Sequence, residues 1–136
     1  MRTGILAVAM LLLGCAVAFA EQPAQKRVVA TIDPDGVQRV QMTGGEYYFD
    51  PNVVVVKVNV PVELEVKKAG GMAPHDIVLK APEAGINFAE SLGSEFKVIR
   101  FTPTKVGSYP FECTKQFLFF ESHKARGMRG VLDVTP

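Results

Sequence analysis

The chain has 136 residues, nearly half of them hydrophobic, and a formal net charge of +1 at neutral pH. Acidic and basic residues are almost balanced, which excludes the strongly basic surface that bulk attraction to nucleic acid or to an anionic membrane requires. We therefore expect no nucleic-acid partner.

The first twenty residues are typical of a signal peptide. Arg2 supplies a positive charge, an apolar run extends to Phe19, and Ala18 and Ala20 form a small-x-small cleavage site. No later apolar run is long enough to span a bilayer, so we expect a periplasmic protein without a transmembrane segment. The segment that ends at Cys15 also resembles a bacterial lipobox, so a lipid anchor through this cysteine is the alternative to cleavage after Ala20.

Cleavage after Ala20 would leave 116 residues, a usual size for one domain. It would remove Arg2 and no acid, so 15 basic residues become 14, against 14 acidic ones. Cys113 would then be the one remaining cysteine, and a disulfide within the chain is excluded. An exported lone thiol is either buried and inert, reactive, or bound to metal.

The rest of the chain is predicted to be all-β. Residues 53–58 are mostly valine, which favours a strand buried on both faces, and residues 62–67 alternate apolar and charged side chains. Gly44-Gly45 is predicted to end a strand, and residues 81–94 are predicted to be a loop with some helical character. Strands are indicated at residues 28–32, 37–43, 53–58, 62–67, 75–79, 96–101, 108–112 and 130–134. About eight short strands at this spacing predict a single β-sandwich or barrel.

Four side chains that can bind soft metals lie at or near the ends of predicted strands. His75 begins one strand and Cys113 ends another, nine residues separate Cys113 from His123, and Met128 precedes the last strand. Taken singly, each has an ordinary explanation in packing or at the surface. Together, two imidazoles, a thiolate and a thioether form the ligand set of a blue-copper electron-transfer site. Met42 and Met72 are alternatives to Met128.

Over roughly residues 37–136 the chain resembles the cupredoxins, the small blue-copper proteins. The matching residues are Phe49, Pro51, Val53, Val55, Pro61, Val62, Pro74, His75, Asp76, Ile77, Val78, Gly107, Tyr109, Phe111, Cys113, His123, Met128, Gly130 and Val131. The resemblance implies a Greek-key sandwich over residues 37–136, preceded by an N-terminal segment with the first strand at residues 21–36.

The same resemblance implies a copper site. One copper ion, cycling between Cu(I) and Cu(II), would be held by His75 from an interior loop and by Cys113, His123 and Met128 from the loop that joins the last two strands. In the family, the residues that follow the first histidine and the cysteine bond across the site. Here these residues are Asp76 and Thr114.

Two features depart from the family pattern. Plastocyanin- and azurin-like members have two to four residues between the cysteine and the second histidine, whereas this chain has nine. Few helix breakers occur in residues 116–126, so a short helix that carries His123 is one expectation. Asp76 stands in place of an amide, and its charge should lower the reduction potential. The resemblance extends to the copper domain of cytochrome oxidase, whose dinuclear site needs two cysteines. Because Cys113 would be the one cysteine left, that site is excluded.

We therefore expect an exported one-electron carrier rather than an enzyme, because no nucleophile–base pair, phosphate loop or second metal cluster is evident. A copper carrier or chaperone, with Met72 and Met42 as added ligands for Cu(I), is the alternative. A metal-free binding module with an immunoglobulin-like sandwich is the third class.

The partner of a carrier would be a redox protein of the cytochrome or oxidase type. Residues 117–120 are expected to plug the end of the core, with an exposed docking patch as the alternative. Four cations flank this segment, and they form either a solvated rim or a collar that steers an acidic partner. These cations are Lys115, Lys124, Arg126 and Arg129.

Overall fold

The computed structural model describes residues 24–116 and 118–136. The predicted signal peptide, with Cys15, and Phe117 lie outside the described residues. Within them, no helix is long and apolar enough to cross a membrane.

The described residues form eleven strands and one short 3-10 helix, Pro82–Ala84. In chain order the strands are β1 (Arg27–Val29), β2 (Thr31–Ile32), β3 (Gln38–Gly45), β4 (Tyr48–Asp50), β5 (Val53–Lys57), β6 (Val62–Lys68), β7 (Asp76–Ala81), β8 (Ile86–Ser91), β9 (Lys97–Phe101), β10 (Gly107–Glu112) and β11 (Arg129–Thr135).

The strands form two mixed sheets that enclose one core, so the prediction of a β-sandwich is confirmed. The first sheet has the order β1-β5-β11-β10-β7-β8, and the second has the order β2-β3-β6-β9 with β4 paired to β3. Side chains of both sheets meet between them, among them Met42 of β3, Leu64 of β6, Val54 of β5 and Leu132 of β11.

Hydrophobic patterning explains the strands that were predicted correctly. Val53, Val54, Val55 and Val56 are all buried, as a valine run in the interior of a sheet requires. Along β6 the side chains alternate between buried and partly exposed. This alternation places one face of the strand on the core.

Three local predictions were wrong. The first strand is divided at Ala30, so β1 pairs with β5 in one sheet and β2 with β3 in the other. Gly44-Gly45 does not end its strand but lies inside β3, paired with β4. In the segment predicted as a loop with helical character, only Pro82–Ala84 is helical and Ile86–Ser91 is a strand paired along its whole length with β7.

The topology brings the ends of three strands together. β10 runs antiparallel to both β7 and β11, with Glu112 paired to Val78 on one side and to Arg129 on the other. The end of β10 therefore meets the beginnings of β7 and β11 at one end of the sandwich. We call this end the metal end, because the candidate ligands lie there.

Candidate metal centre

Three of the four predicted ligands are brought together at the metal end. His75 immediately precedes β7, Cys113 immediately follows β10, and His123 lies in the loop between β10 and β11. All three are buried, and their ligand atoms lie within 4.8 Å of one another. Among the described His, Cys, Asp and Glu residues, these three lie close enough together to hold a metal ion.

The atoms that converge are the two imidazole Nδ1 atoms and the thiol sulfur. Nδ1 of His75 lies 3.2 Å from Nδ1 of His123, and Sγ of Cys113 lies 3.5 Å from the same His123 atom. Zinc, for comparison, binds nitrogen at about 2.0–2.1 Å and sulfur at about 2.3 Å, which puts neighbouring ligand atoms about 3.3–3.8 Å apart. The observed spacing therefore fits three ligands of one ion.

The orientation of the imidazoles also fits a metal, because both rings direct Nδ1 toward the same point. Nε2 of His75 and Nε2 of His123 are buried and have no hydrogen-bond partner within the described structure. If both Nδ1 lone pairs point at a common ion, each ring carries its proton on Nε2. The site thus presents two nitrogen lone pairs and a sulfur, a donor set suited to copper or zinc.

Burial favours the uncharged form of each of the three groups. Desolvation lowers the pKa of His75, and the neighbouring His123 lowers it further. Desolvation also lowers the pKa of His123, with a further contribution from the positive charge of Arg126. Burial raises the pKa of the Cys113 thiol. These shifts favour the neutral imidazole that binds metal, whereas the thiol must lose its proton on binding.

Asp76 bonds across the site, as the family resemblance implies. Its Oδ1 accepts a hydrogen bond from the backbone N–H of Thr114, and its Oδ2 accepts one from the Thr114 hydroxyl. Nζ of Lys115 lies 3.9 Å from the same Oδ2. These contacts tie the residue after His75 to the residue after Cys113, so they fix the separation of the two ligand-bearing segments.

Of the three methionines that were considered as the axial ligand, two are buried in the core and one is exposed. Met128 is fully buried, and its backbone oxygen accepts a hydrogen bond from the N–H of Cys113 at 3.0 Å. The end of its side chain packs near Gly44, where an added Cβ would lie 3.2 Å from the Met128 Cε. Met42 packs in the hydrophobic core, and Met72 is 99% exposed. Met128 is thus a buried methionine tied by its backbone to the cysteine, and the axial role stays a prediction.

The long loop reaches the site without a helix. Within residues 118–128 the chain forms turns, so the expected short helix carrying His123 was wrong. The His123 N–H donates to the oxygen of Lys115, and the Met128 N–H donates to the oxygen of His123. These two bonds close the loop across its base, which returns His123 to Cys113 although nine residues intervene.

The apolar tip of this loop faces outward. Leu118, Phe119 and Phe120 are 68%, 101% and 55% exposed, so the expectation that they plug the core was wrong. We call these three residues the apolar tip. Of the flanking cations, Lys124 pairs with Glu112 at 2.7 Å.

At the site, Tyr47 was not recognised from the sequence, and Arg126 was predicted only as a cation that flanks the loop. The ring of Tyr47 lies 4.8 Å from the His123 ring and 6.3 Å from the His75 ring. The guanidinium of Arg126 lies over the Tyr47 ring at 4.6 Å. In the sequence, Tyr47 is one of three consecutive aromatic residues, and nothing distinguishes it from Tyr48 and Phe49.

No protein-family model matches the chain, and no curated protein sequence matches it significantly. Solved structures do match. The Cu(I)-bound metal-binding domain of the Cu(I)-exporting P-type ATPase CopA of Streptococcus pneumoniae is 22% identical, with a TM-score of 0.62 over 83% of this chain and 99% of that domain. Dithionite-reduced auracyanin of Roseiflexus castenholzii is 25% identical, with a TM-score of 0.57 over 72% of this chain and 97% of the auracyanin.

Auracyanin A of Chloroflexus aurantiacus, described as a "blue" copper protein, is 20% identical with a TM-score of 0.55. The match covers 74% of this chain and all of the auracyanin. The chain therefore has a cupredoxin-like fold, and the predicted resemblance is confirmed at the level of the fold.

Proposed function

We propose that the protein binds one copper ion through His75, Cys113, His123 and Met128 and carries single electrons. The observation that carries this proposal is the convergence of two Nδ1 atoms and one Sγ, all buried, at the end of a rigid sandwich. The fold neighbours that bind copper support the choice of metal.

Each residue has a distinct task in this proposal. The two imidazoles and the thiolate would hold the copper, and the Met128 thioether would be a further, weaker ligand. Bound copper would supply a one-electron couple between Cu(I) and Cu(II). Asp76 and Thr114 hold the first histidine and the cysteine at a fixed separation, so little of the protein has to move when the electron arrives or leaves.

Copper content after a chelator wash tests the proposal. The protein is loaded with copper, washed with EDTA, and analysed for metal per chain. We expect one tightly held copper per chain, and none in Cys113→Ser. Copper that is lost in the wash would favour a carrier that hands metal on, and a protein that never binds stoichiometric copper would favour the metal-free module.

Copper handling is the second candidate because of Met72. Its side chain is almost fully exposed and lines a cleft of about 390 Å³ together with Tyr47, Phe120 and His123. A thioether is a soft ligand suited to Cu(I), so Met72 is placed to meet an ion on its way to His123. Met72→Leu would then slow copper uptake without changing the number of copper ions bound.

The apolar tip supports a docking role. Three adjacent apolar side chains are exposed beside His123, which is the kind of surface that marks a protein–protein contact. We propose that a cytochrome or an oxidase-type redox protein docks there. The proposed location is the periplasm, reached through the predicted signal peptide, with a lipid anchor at Cys15 as the alternative.

A further inference from the structure

The Nε2 atoms of the two imidazoles have no hydrogen-bond partner among the described residues. A histidine that binds metal through one nitrogen almost always donates its other N–H to a carboxylate, a carbonyl or a water. Here the Nε2 atoms of His75 and His123 are buried and have no partner among the described residues. Among the described residues, the orientation of the rings therefore depends on contacts other than a hydrogen bond at Nε2.

Tyr47 makes that contact with both rings. Its ring lies edge-on to His75, with an interplanar angle of 83°, and is tilted by 57° against His123. The two histidines themselves lie 4.9 Å apart. Because His75 and His123 come from different loops, a single side chain in contact with both can fix their relative orientation.

Arg126 links Tyr47 to the long loop. Its guanidinium lies over the Tyr47 ring at 4.6 Å, and Arg126 follows His123 by three residues. A planar cation on an aromatic face is a directional contact, more so for arginine than for lysine. The stack therefore joins the hairpin that carries Tyr47 to the loop that carries His123.

We infer that Tyr47, held by Arg126, is the positioning residue that orients both histidines of the metal centre and closes the long loop over it. Tyr47 replaces, by ring contact, the hydrogen bonds that usually orient such ligands. The test of this inference by copper affinity rests on the proposed copper site. A second test, by NMR of the histidine rings, uses the metal-free protein.

The test compares Tyr47→Leu, Tyr47→Phe and Arg126→Gln with Tyr48→Leu as the matched control. Tyr48 is the adjacent tyrosine and is 42% exposed. Cu(I) affinity is measured by competition with bathocuproine disulfonate, and urea unfolding of each variant reports whether the fold is intact. Loss of a residue that orients a ligand typically costs about 10–100-fold in metal affinity.

We expect Tyr47→Leu to weaken Cu(I) binding about tenfold or more. Arg126→Gln should weaken it in the same direction, whereas Tyr47→Phe should restore it because the ring is kept. Equal affinity in Tyr47→Leu and Tyr48→Leu would overturn the inference. If Tyr47→Leu does not fold, an unchanged affinity in Arg126→Gln overturns it instead.

The second readout uses the metal-free protein. Proton NMR signals of the two histidine rings should shift and broaden in Tyr47→Leu, because the neighbouring ring is lost, and should stay unchanged in Tyr48→Leu. If the wild-type protein binds no copper, the proposed function fails, but these signals still decide the role of Tyr47. Unshifted signals in Tyr47→Leu would refute that role.

Discussion

Asp76 directly follows His75 and places a carboxylate where cupredoxins have an amide. Both of its oxygens accept hydrogen bonds from Thr114, and Lys115 lies nearby. A negative charge near bound copper stabilises the more positive ion. The charge of Asp76 should therefore favour Cu(II), and the amine of Lys115 offsets part of this effect.

We predict that Asp76→Asn raises the reduction potential. An asparagine can keep both contacts, since its oxygen can accept from the Thr114 N–H and its amide can donate to the Thr114 hydroxyl. A unit charge is worth about 1–4 kcal/mol at 4 Å, and 1.4 kcal/mol corresponds to about 59 mV for one electron. The rise should thus be on the order of 100 mV or less by voltammetry. An unchanged or lower potential would contradict the electrostatic explanation.

At the residue scale, the sequence was sufficient to predict that three potential ligand side chains meet, and their binding of metal stays a prediction. His75, Cys113 and His123 were chosen because soft ligands at strand ends point to one site, and the structure brings them together. Tyr47 was not predicted because its role depends on ring contacts across two loops. Such contacts follow from tertiary packing and leave no local pattern.

At the scale of elements, alternation and valine runs predicted most strands, while the errors came from residues with conflicting preferences. Ile86–Ser91 alternates buried and exposed side chains, but Pro82 and the alanines nearby favoured a helical interpretation. Gly85 has a positive φ of 72°, which ends the 3-10 helix and lets the strand begin. The helix expected in the long loop had no core-facing side to stabilise it, since the apolar tip is exposed.

Gly44 shows why a glycine can belong inside a strand. A Cβ at this position would lie 2.6 Å from Cδ1 of Leu92 and 3.2 Å from Cε of Met128. The missing side chain leaves room for the ends of the Leu92 and Met128 side chains. Close packing therefore favours glycine here, although it weakens an ordinary strand.

We predict that Gly44→Ala destabilises the protein by about 1–3 kcal/mol, the usual cost of adding a methyl group to a packed site. Urea unfolding of the metal-free protein measures the change. Gly93→Ala is the control, because a Cβ there meets nothing within 4 Å and should alter stability by no more than about 0.5 kcal/mol. In the copper form, only Gly44→Ala should change the absorption spectrum, through displacement of Met128. Equal effects of the two variants would rule out this packing role.

At the scale of the whole molecule, one end of the sandwich combines the buried metal centre with the exposed apolar tip. The paired strands β7, β10 and β11 converge on that end. An electron passing between copper and a docked protein would then cross only the loop around His123.

We predict that Phe119→Ser slows electron exchange with a reduced c-type cytochrome about five- to thirtyfold, because loss of an interface anchor costs about 1–2 kcal/mol. Stopped-flow absorbance measures the bimolecular rate. Val106→Ser is the matched control, since Val106 is 50% exposed and precedes β10 at the opposite end from the metal centre. If both variants slow the reaction equally, the apolar tip is not the docking surface.

The most direct test of the account is the visible absorption spectrum of the protein after addition of Cu(II), with Cys113→Ser measured beside it. A thiolate bound to Cu(II) in a trigonal site gives an intense charge-transfer band. We predict this band in the wild-type protein and its loss in Cys113→Ser. A colourless or weakly coloured wild-type protein, or a band that survives in Cys113→Ser, would contradict a blue-copper site built on this cysteine.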